Sequence, residues 1–136
     1  MSKSNKYKDS FPEPRKEIKS MKAYSAPLEN RREFLRLDFN ENTIGPSPEV
    51  YKAIQNIQSN QISIYPEYDL LINKLCESYC DSKKINNEHI GLFNGADAAI
   101  NAIFNSFANI NDVFLTTNPT FGYYLPCAEM RGMKII

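Results

Sequence analysis

Apolar residues along this chain come in short bursts whose spacing changes from segment to segment, and those changes lay out its elements. Residues 1 to about 32 show neither helical nor strand period and are rich in Lys, Ser and Pro, which predicts an extended amino-terminal arm. Phe34, Leu35, Leu37 and Phe39 in EFLRLDFN predict a short strand, after which NENTIGPSP reads as a turn-rich loop. Ser47 is placed to cap a helix with Pro48 at its first position, and Tyr51, Ile54 and Ile57 mark one face of it to about Gln58. The polar SNQIS follows, then a second helix over about residues 67–80 with Leu70, Leu71, Leu75 and Tyr79 on its apolar side. Beyond DSKKINNE the pattern alternates: strand over 89–93, helix over 96–108, strand over 113–117, helix over about 121–131, strand onset at 133–136. Such alternation predicts an α/β fold, a mostly parallel sheet with flanking helices. Asn109 and Gly132 suit the left-handed exit from each helix. Pro126 would remove an internal hydrogen bond from a helix begun at Phe121, so a kink or a start near Leu125 is expected.

Composition narrows the class. A chain of 136 residues is the size of one domain, and eight Tyr, eight Phe and 42% hydrophobic residues argue against global disorder. No apolar run approaches the roughly 20 residues of a transmembrane helix, and the first residues lack the apolar centre of a secretory signal. The expectation is a cytoplasmic protein without a membrane partner. Net charge is zero, yet ten of sixteen Lys and Arg fall in residues 1–36 against five of sixteen acids. Interleaved Asp9, Glu13 and Glu17 with Pro12 and Pro14 make this basic end a solvated tail rather than a nucleic-acid arm. Cys76 and Cys80, four apart on a helix, could be imagined with His89 as metal ligands. Three cysteines without a CxxC pair read instead as core residues, with no metal and no disulfide framework.

The segment GLFNGADAAINAIFNSF carries candidate chemistry. It reads as buried strand, glycine turn and helix, and the first-turn N–H groups of a helix lack partners within it while the macrodipole favours negative charge there. A phosphate can therefore rest on Gly95, Ala96 and Asp97. A glycine at a strand-to-helix junction also serves backbone geometry alone, so both readings stand.

Four segments in order, AYSAPLENRREFLRLDFNENTIGPSP, IYPEY, FNGADAAINAIFNSF and NPTFGYY, resemble the histidinol-phosphate aminotransferases over roughly residues 22–136. These belong to the fold type I pyridoxal-phosphate-dependent aminotransferases, so the resemblance implies pyridoxal 5'-phosphate as cofactor and a partial type I large domain over 33–136, behind a flexible basic arm over 1–32. It implies that backbone amides at Ala96 and Asp97 hold the cofactor phosphate beside Gly95, and that Phe121 lies against the pyridine ring. Tyr65 matches a tyrosine that reaches the cofactor phosphate of the other subunit, which implies a homodimer. Tyr24 matches an arm tyrosine near the substrate phosphate, and Asn40 and Glu41 match a loop that helps to close the site. The implied reaction converts L-histidinol phosphate and 2-oxoglutarate into imidazole acetol phosphate and L-glutamate, in histidine biosynthesis.

The same resemblance marks what is missing. No lysine here matches the one that forms the Schiff base with the cofactor, which is expected beyond Ile136, so no catalytic residue is assigned. The chain breaks off at MKII where a buried strand has only begun, and the expectation is an amino-terminal piece, inactive and unstable by itself. Thr43 and Ala96 stand where the family often has Pro and Ser, which weakens the substrate assignment more than the cofactor assignment. Alternatives are a related type I enzyme, such as another amino-acid aminotransferase or threonine-phosphate decarboxylase, a non-catalytic truncated paralogue, and an unrelated α/β binding domain.

Overall fold

Two parallel strands and the helix that crosses between them anchor the carboxyl-terminal part of the chain. A computed structural model describes residues 12–23, 29–79 and 85–136. These divide into two units, one made of residues 12–23 and 93–136 and the other of 29–79 and 85–92.

In the first unit, α1 (Lys16–Lys19), α5 (Gly95–Phe107), β1 (Val113–Phe114), α6 (Tyr124–Met130) and β2 (Lys134–Ile135) follow in chain order. β1 and β2 pair in parallel with Val113 opposite Lys134 and Phe114 opposite Ile135. The ladder extends past both ends, since Lys134 N–H donates to the Asp112 carbonyl at 2.8 Å and Thr116 N–H to that of Ile136 at 3.0 Å. A βαβ unit needs a helix over the sheet, and α6 supplies it by burying Cys127 and Ala128 against Phe104 and Ala108. Ile100, Phe104 and Ala108 recur every fourth residue, so α5 turns one stripe toward Phe114, whose ring meets Phe104 edge-on at 5.1 Å. Gly132 leaves α6 at φ 68, where an added Cβ would press on Glu17 at 3.3 Å. Arg15 bonds the Met130 carbonyl, so α1 sits on the end of α6.

In the second unit, α2 (Pro48–Gln55), α3 (Ser59–Ile62) and α4 (Asp69–Tyr79) are joined by loops, with 3-10 turns at Arg31–Glu33 and Asn87–His89. Ser47 caps α2 as its sequence predicts, its Oγ accepting from Val50 N–H at 3.4 Å. None of the described residues of this unit is buried.

Several elements differ from expectation. Residues 34–39 form no strand: Phe34, Leu35 and Leu37 are exposed, and the backbone instead bends around Arg31. Residues 89–93 are likewise unpaired, because the Asn86 side chain accepts from Glu88 N–H at 3.1 Å and Asn86 N–H donates to His89 Nδ1 at 3.2 Å, which winds the entry into a turn. SNQIS, expected as loop, closes the short α3, with Gln58 N–H donating to Gln61 Oε1 at 2.8 Å. The arm carries α1 where no period was evident. The left-handed residue after α5 is Asn111 at φ 70 rather than Asn109, whose N–H is held by Asp112 Oδ2 at 2.7 Å. As Pro126 predicts, α6 starts next to Leu125, at Tyr124, which puts the proline in the first turn, where its missing N–H costs no helical bond.

Candidate functional site

Of the residues proposed for the cofactor from sequence, Gly95, Ala96 and Asp97 start α5 and Phe121 precedes α6 in the first unit, while Tyr65 belongs to the second. The chain reaches α5 through Phe93 and Asn94 and tightens at Gly95, whose N–H donates to the Phe93 carbonyl at 2.9 Å. Gly95 has φ 80, and a Cβ built there meets nothing within 4 Å. Backbone torsion rather than crowding therefore selects glycine, and the space beside the first turn is open. Asn94 at the N-cap makes no side-chain cap bond. With the Gly95 N–H taken by Phe93, the exposed Ala96 and Asp97 follow it into the first turn of a 13-residue helix, at its positive end.

The second helix start belongs to the same unit, in which α5 lies against α6. Phe121 is 45% exposed and meets the Tyr124 ring edge-on at 5.6 Å. The segment before it is fixed by Thr116 Oγ1 donating to Thr120 Oγ1 at 3.1 Å, by Thr117 Oγ1 donating to the Pro119 carbonyl at 3.1 Å, and by a cis Asn118–Pro119 bond. Burial pushes the Tyr123 phenol above its ordinary pKa, helped by its hydrogen-bonded neighbour Cys127 and by the Asp97 carboxylate. Burial raises the Cys127 thiol too, with the Tyr123 bond opposing and Asp97 adding to the effect. Asp97 in the first turn of α5 therefore acts electrostatically on the start of α6. Neither Tyr123 nor Cys127 was singled out for this from sequence, although their i, i+4 spacing was visible.

Asn40, Glu41 and Tyr65 belong to the second unit. Asn40 has φ 53, a left-handed conformation that Asn tolerates. Glu41 receives Arg31 Nη1 at 2.8 Å and Arg36 Nε at 3.3 Å, and its carboxyl is held below the usual range by the Arg31 hydrogen bonds first and by the charges of Arg31 and Arg36 after burial has opposed them. Asp38 is lowered in the same way, again first by Arg31. Tyr65 is 97% exposed in the loop before α4. Tyr24 lies outside the described residues, as does Cys80. Arg31, the hub of this loop, was missed from sequence because it was read as one more charge of a basic arm.

Among the described residues no three His, Cys, Asp or Glu side chains gather as metal ligands, and no helix is long and apolar enough to cross a membrane.

Comparison with known proteins identifies the family. The family described as aminotransferase class I and II matches residues 32–136. A histidinol-phosphate aminotransferase of Clostridium novyi is 34% identical over 122 residues, covering 89% of this chain and 33% of the relative. That of Moorella thermoacetica is 29% identical over 133 residues, with 92% and 34% covered. A dihydroxyacetone phosphate transaminase of Campylobacter jejuni is 32% identical over 105 residues, with 75% and 28% covered. The chain spans about a third of the length of the curated relatives it matches. With the family matched over residues 32–136, most of its length, the chain belongs to the class I and II aminotransferases.

Proposed function

We propose that this chain supplies the cofactor-phosphate and substrate-gripping part of a pyridoxal-phosphate-dependent transaminase whose amino donor is L-histidinol phosphate and whose acceptor is 2-oxoglutarate. The observation that carries the reading is the start of α5, where left-handed Gly95 leaves open space beside exposed first-turn amides, within the residues that match the family. That donor set fits a phosphate monoester: backbone N–H groups at a helix N-terminus bind an anion without any lysine or arginine. Bound pyridoxal phosphate supplies an electron sink for the carbanion formed at the substrate α-carbon. Ala96 and Asp97 hold its phosphate through their amides, and the half-exposed Phe121 ring offers a flat surface that orients the pyridine. Tyr65, exposed on its loop, serves the phosphate of a second subunit in a homodimer. Asn40 and Glu41 close over the amino donor, with Tyr24 toward its phosphate. In this reading residues 1–32 are an arm, residues 33–136 form part of a fold type I large domain, and the enzyme acts in the cytoplasm in histidine biosynthesis.

A second reading has one specific support, the dihydroxyacetone phosphate transaminase among the relatives. Both substrates carry a phosphate ester, so the two readings share their anion chemistry and differ in what fills the rest of the site. The test uses the full-length protein loaded with pyridoxal phosphate, followed by cofactor absorbance under single-turnover conditions. Bleaching by L-histidinol phosphate and recovery with 2-oxoglutarate supports the first reading. Bleaching by L-glutamate with recovery by dihydroxyacetone phosphate, and no response to L-histidinol phosphate, moves the assignment to the second. A protein that leaves the cofactor spectrum that of the free aldehyde refutes both.

A further inference from the structure

The Arg31 guanidinium is engaged almost wholly by its own loop. Nε and Nη2 reach the two carboxylate oxygens of Asp38 at 3.3 and 2.5 Å, while Nη1 and Nη2 reach those of Glu41 at 2.8 and 3.4 Å. Its central carbon stands 4.2 Å from the centroid of the Phe39 ring. Only 15% of the side chain is exposed, although the residues around it are largely open to solvent. Four hydrogen bonds take up most of the donors a guanidinium has, so Arg31 is not free to receive a substrate anion itself. Its geometry does something else. Asp38, Phe39 and Glu41 bracket Asn40, and all three are fastened to one planar cation while Asn40 is turned to φ 53. Arg36 adds an ion pair to Glu41, its Nε 3.3 Å from Oε2, which sets two cations against two carboxylates.

We propose that Arg31 is a positioning residue for the substrate loop, a fork that sets the Glu41 carboxylate and the left-handed Asn40 turn in the orientation that receives the amino donor. This rests on the reading of Asn40 and Glu41 as substrate-loop residues. A planar fork is required, because a lysine ammonium cannot bridge two carboxylates side-on and stack on a ring at once. Arg31 acts through Glu41, so its loss weakens substrate binding and leaves the cofactor phosphate site at α5 untouched.

The test takes the full-length protein with pyridoxal phosphate and L-histidinol phosphate as the probe, comparing Arg31→Gln, Arg31→Lys, Glu41→Gln and the double variant Arg31→Gln/Glu41→Gln. KM, kcat and cofactor affinity by absorbance titration are read for each. Arg31→Gln is expected to raise KM about tenfold with kcat changed less than about threefold and cofactor affinity unchanged, and to add less than about twofold in the Glu41→Gln background. Arg31→Lys is expected to keep most of the KM defect, and it carries the test if Arg31→Gln does not fold. A KM defect in Glu41→Gln with none in either Arg31 variant, or defects that multiply in the double variant, overturns the positioning role alone. A Glu41→Gln enzyme with unchanged KM removes the substrate-loop reading, and the positioning role with it.

Discussion

At Gly95 a single torsion decides what the residue can be. With φ 80 and no neighbour within 4 Å of a built Cβ, Gly95→Ala meets no clash, so its cost is that of a left-handed L-residue, about 1–2 kcal/mol. Relief of that strain would pull the first-turn amides of α5 off their present directions. In the full-length protein Gly95→Ala is therefore expected to weaken pyridoxal phosphate about tenfold by spectroscopic titration, and an unchanged affinity would remove this turn from the cofactor site. Phe121→Ala is expected to lose affinity in the same titration at little cost in thermal stability, since the ring is half open and its edge contact with Tyr124 contributes only about 1 kcal/mol. The carboxylates of the Arg31 fork are shifted downward, opposite to the thiol of α6. Asp38 and Glu41 are held low in the folded state, first by hydrogen bonds from Arg31, so what the fork contributes is complete above the ordinary carboxylate range of about pH 4 and is lost as pH falls through the lowered values. Carboxyl carbon NMR titration checks this, and ordinary midpoints for both groups would mean that the fork does not persist in solution.

Among the elements, α6 shows why part of the fold was legible and part was not. The alternation of β1, α6 and β2 could be read because each apolar burst has somewhere to go: Phe114 onto Phe104, Cys127 and Ala128 onto Ala108, with Gly132 turning the chain at φ 68. The start of α5 was legible for a related reason, since a glycine followed by a helical apolar stripe constrains the backbone locally. EFLRLDFN was misread because an apolar run identifies a strand only if a neighbouring strand pairs with it, and here charge pairing between Arg31, Asp38 and Glu41 takes over the backbone path. The tie between α5 and α6 was hidden for another reason, as it depends on Asp97, Tyr123 and Cys127 meeting across two helices. Cys127 is 1% exposed, and burial raises its pKa above the ordinary thiol value of about 8.5. Folding therefore favours the neutral thiol, and this contribution is present below the ordinary value and falls as pH rises past it. Iodoacetamide is expected to label Cys127 far more slowly than Cys76, which is only half-buried, at pH 8 without denaturant. Equal rates would place Cys127 outside the core.

At the scale of the whole chain, apolar burial is unequally shared. Every buried residue among those described, Phe104, Ala108, Cys127 and Ala128, belongs to the unit of α5, β1, α6 and β2. The unit of α2, α3 and α4 has amphipathic helices whose apolar residues, Val50, Tyr51, Ile54, Leu70 and Leu71 among them, stand open to solvent. Helices of 8 and 11 residues are too short to persist in water on propensity alone, and α2 gains only its Ser47 cap in compensation. Local stability should follow that division. In hydrogen exchange on the 136-residue chain, amides in the middle of α5 and α6 are expected to be protected together, as one cooperative unit. Those of α2 and α4 are expected to exchange within about tenfold of the unstructured rate, and the Arg31 loop, whose bonds join side chains rather than backbone amides, with them. Comparable protection of α2 and α4 would mean that their apolar faces are covered in solution, and self-association measured by sedimentation at two concentrations would then show whether a second copy covers them. Protection that grows with concentration would mean that a second copy covers these helices. Protection that is the same at both concentrations would place the cover within the chain itself.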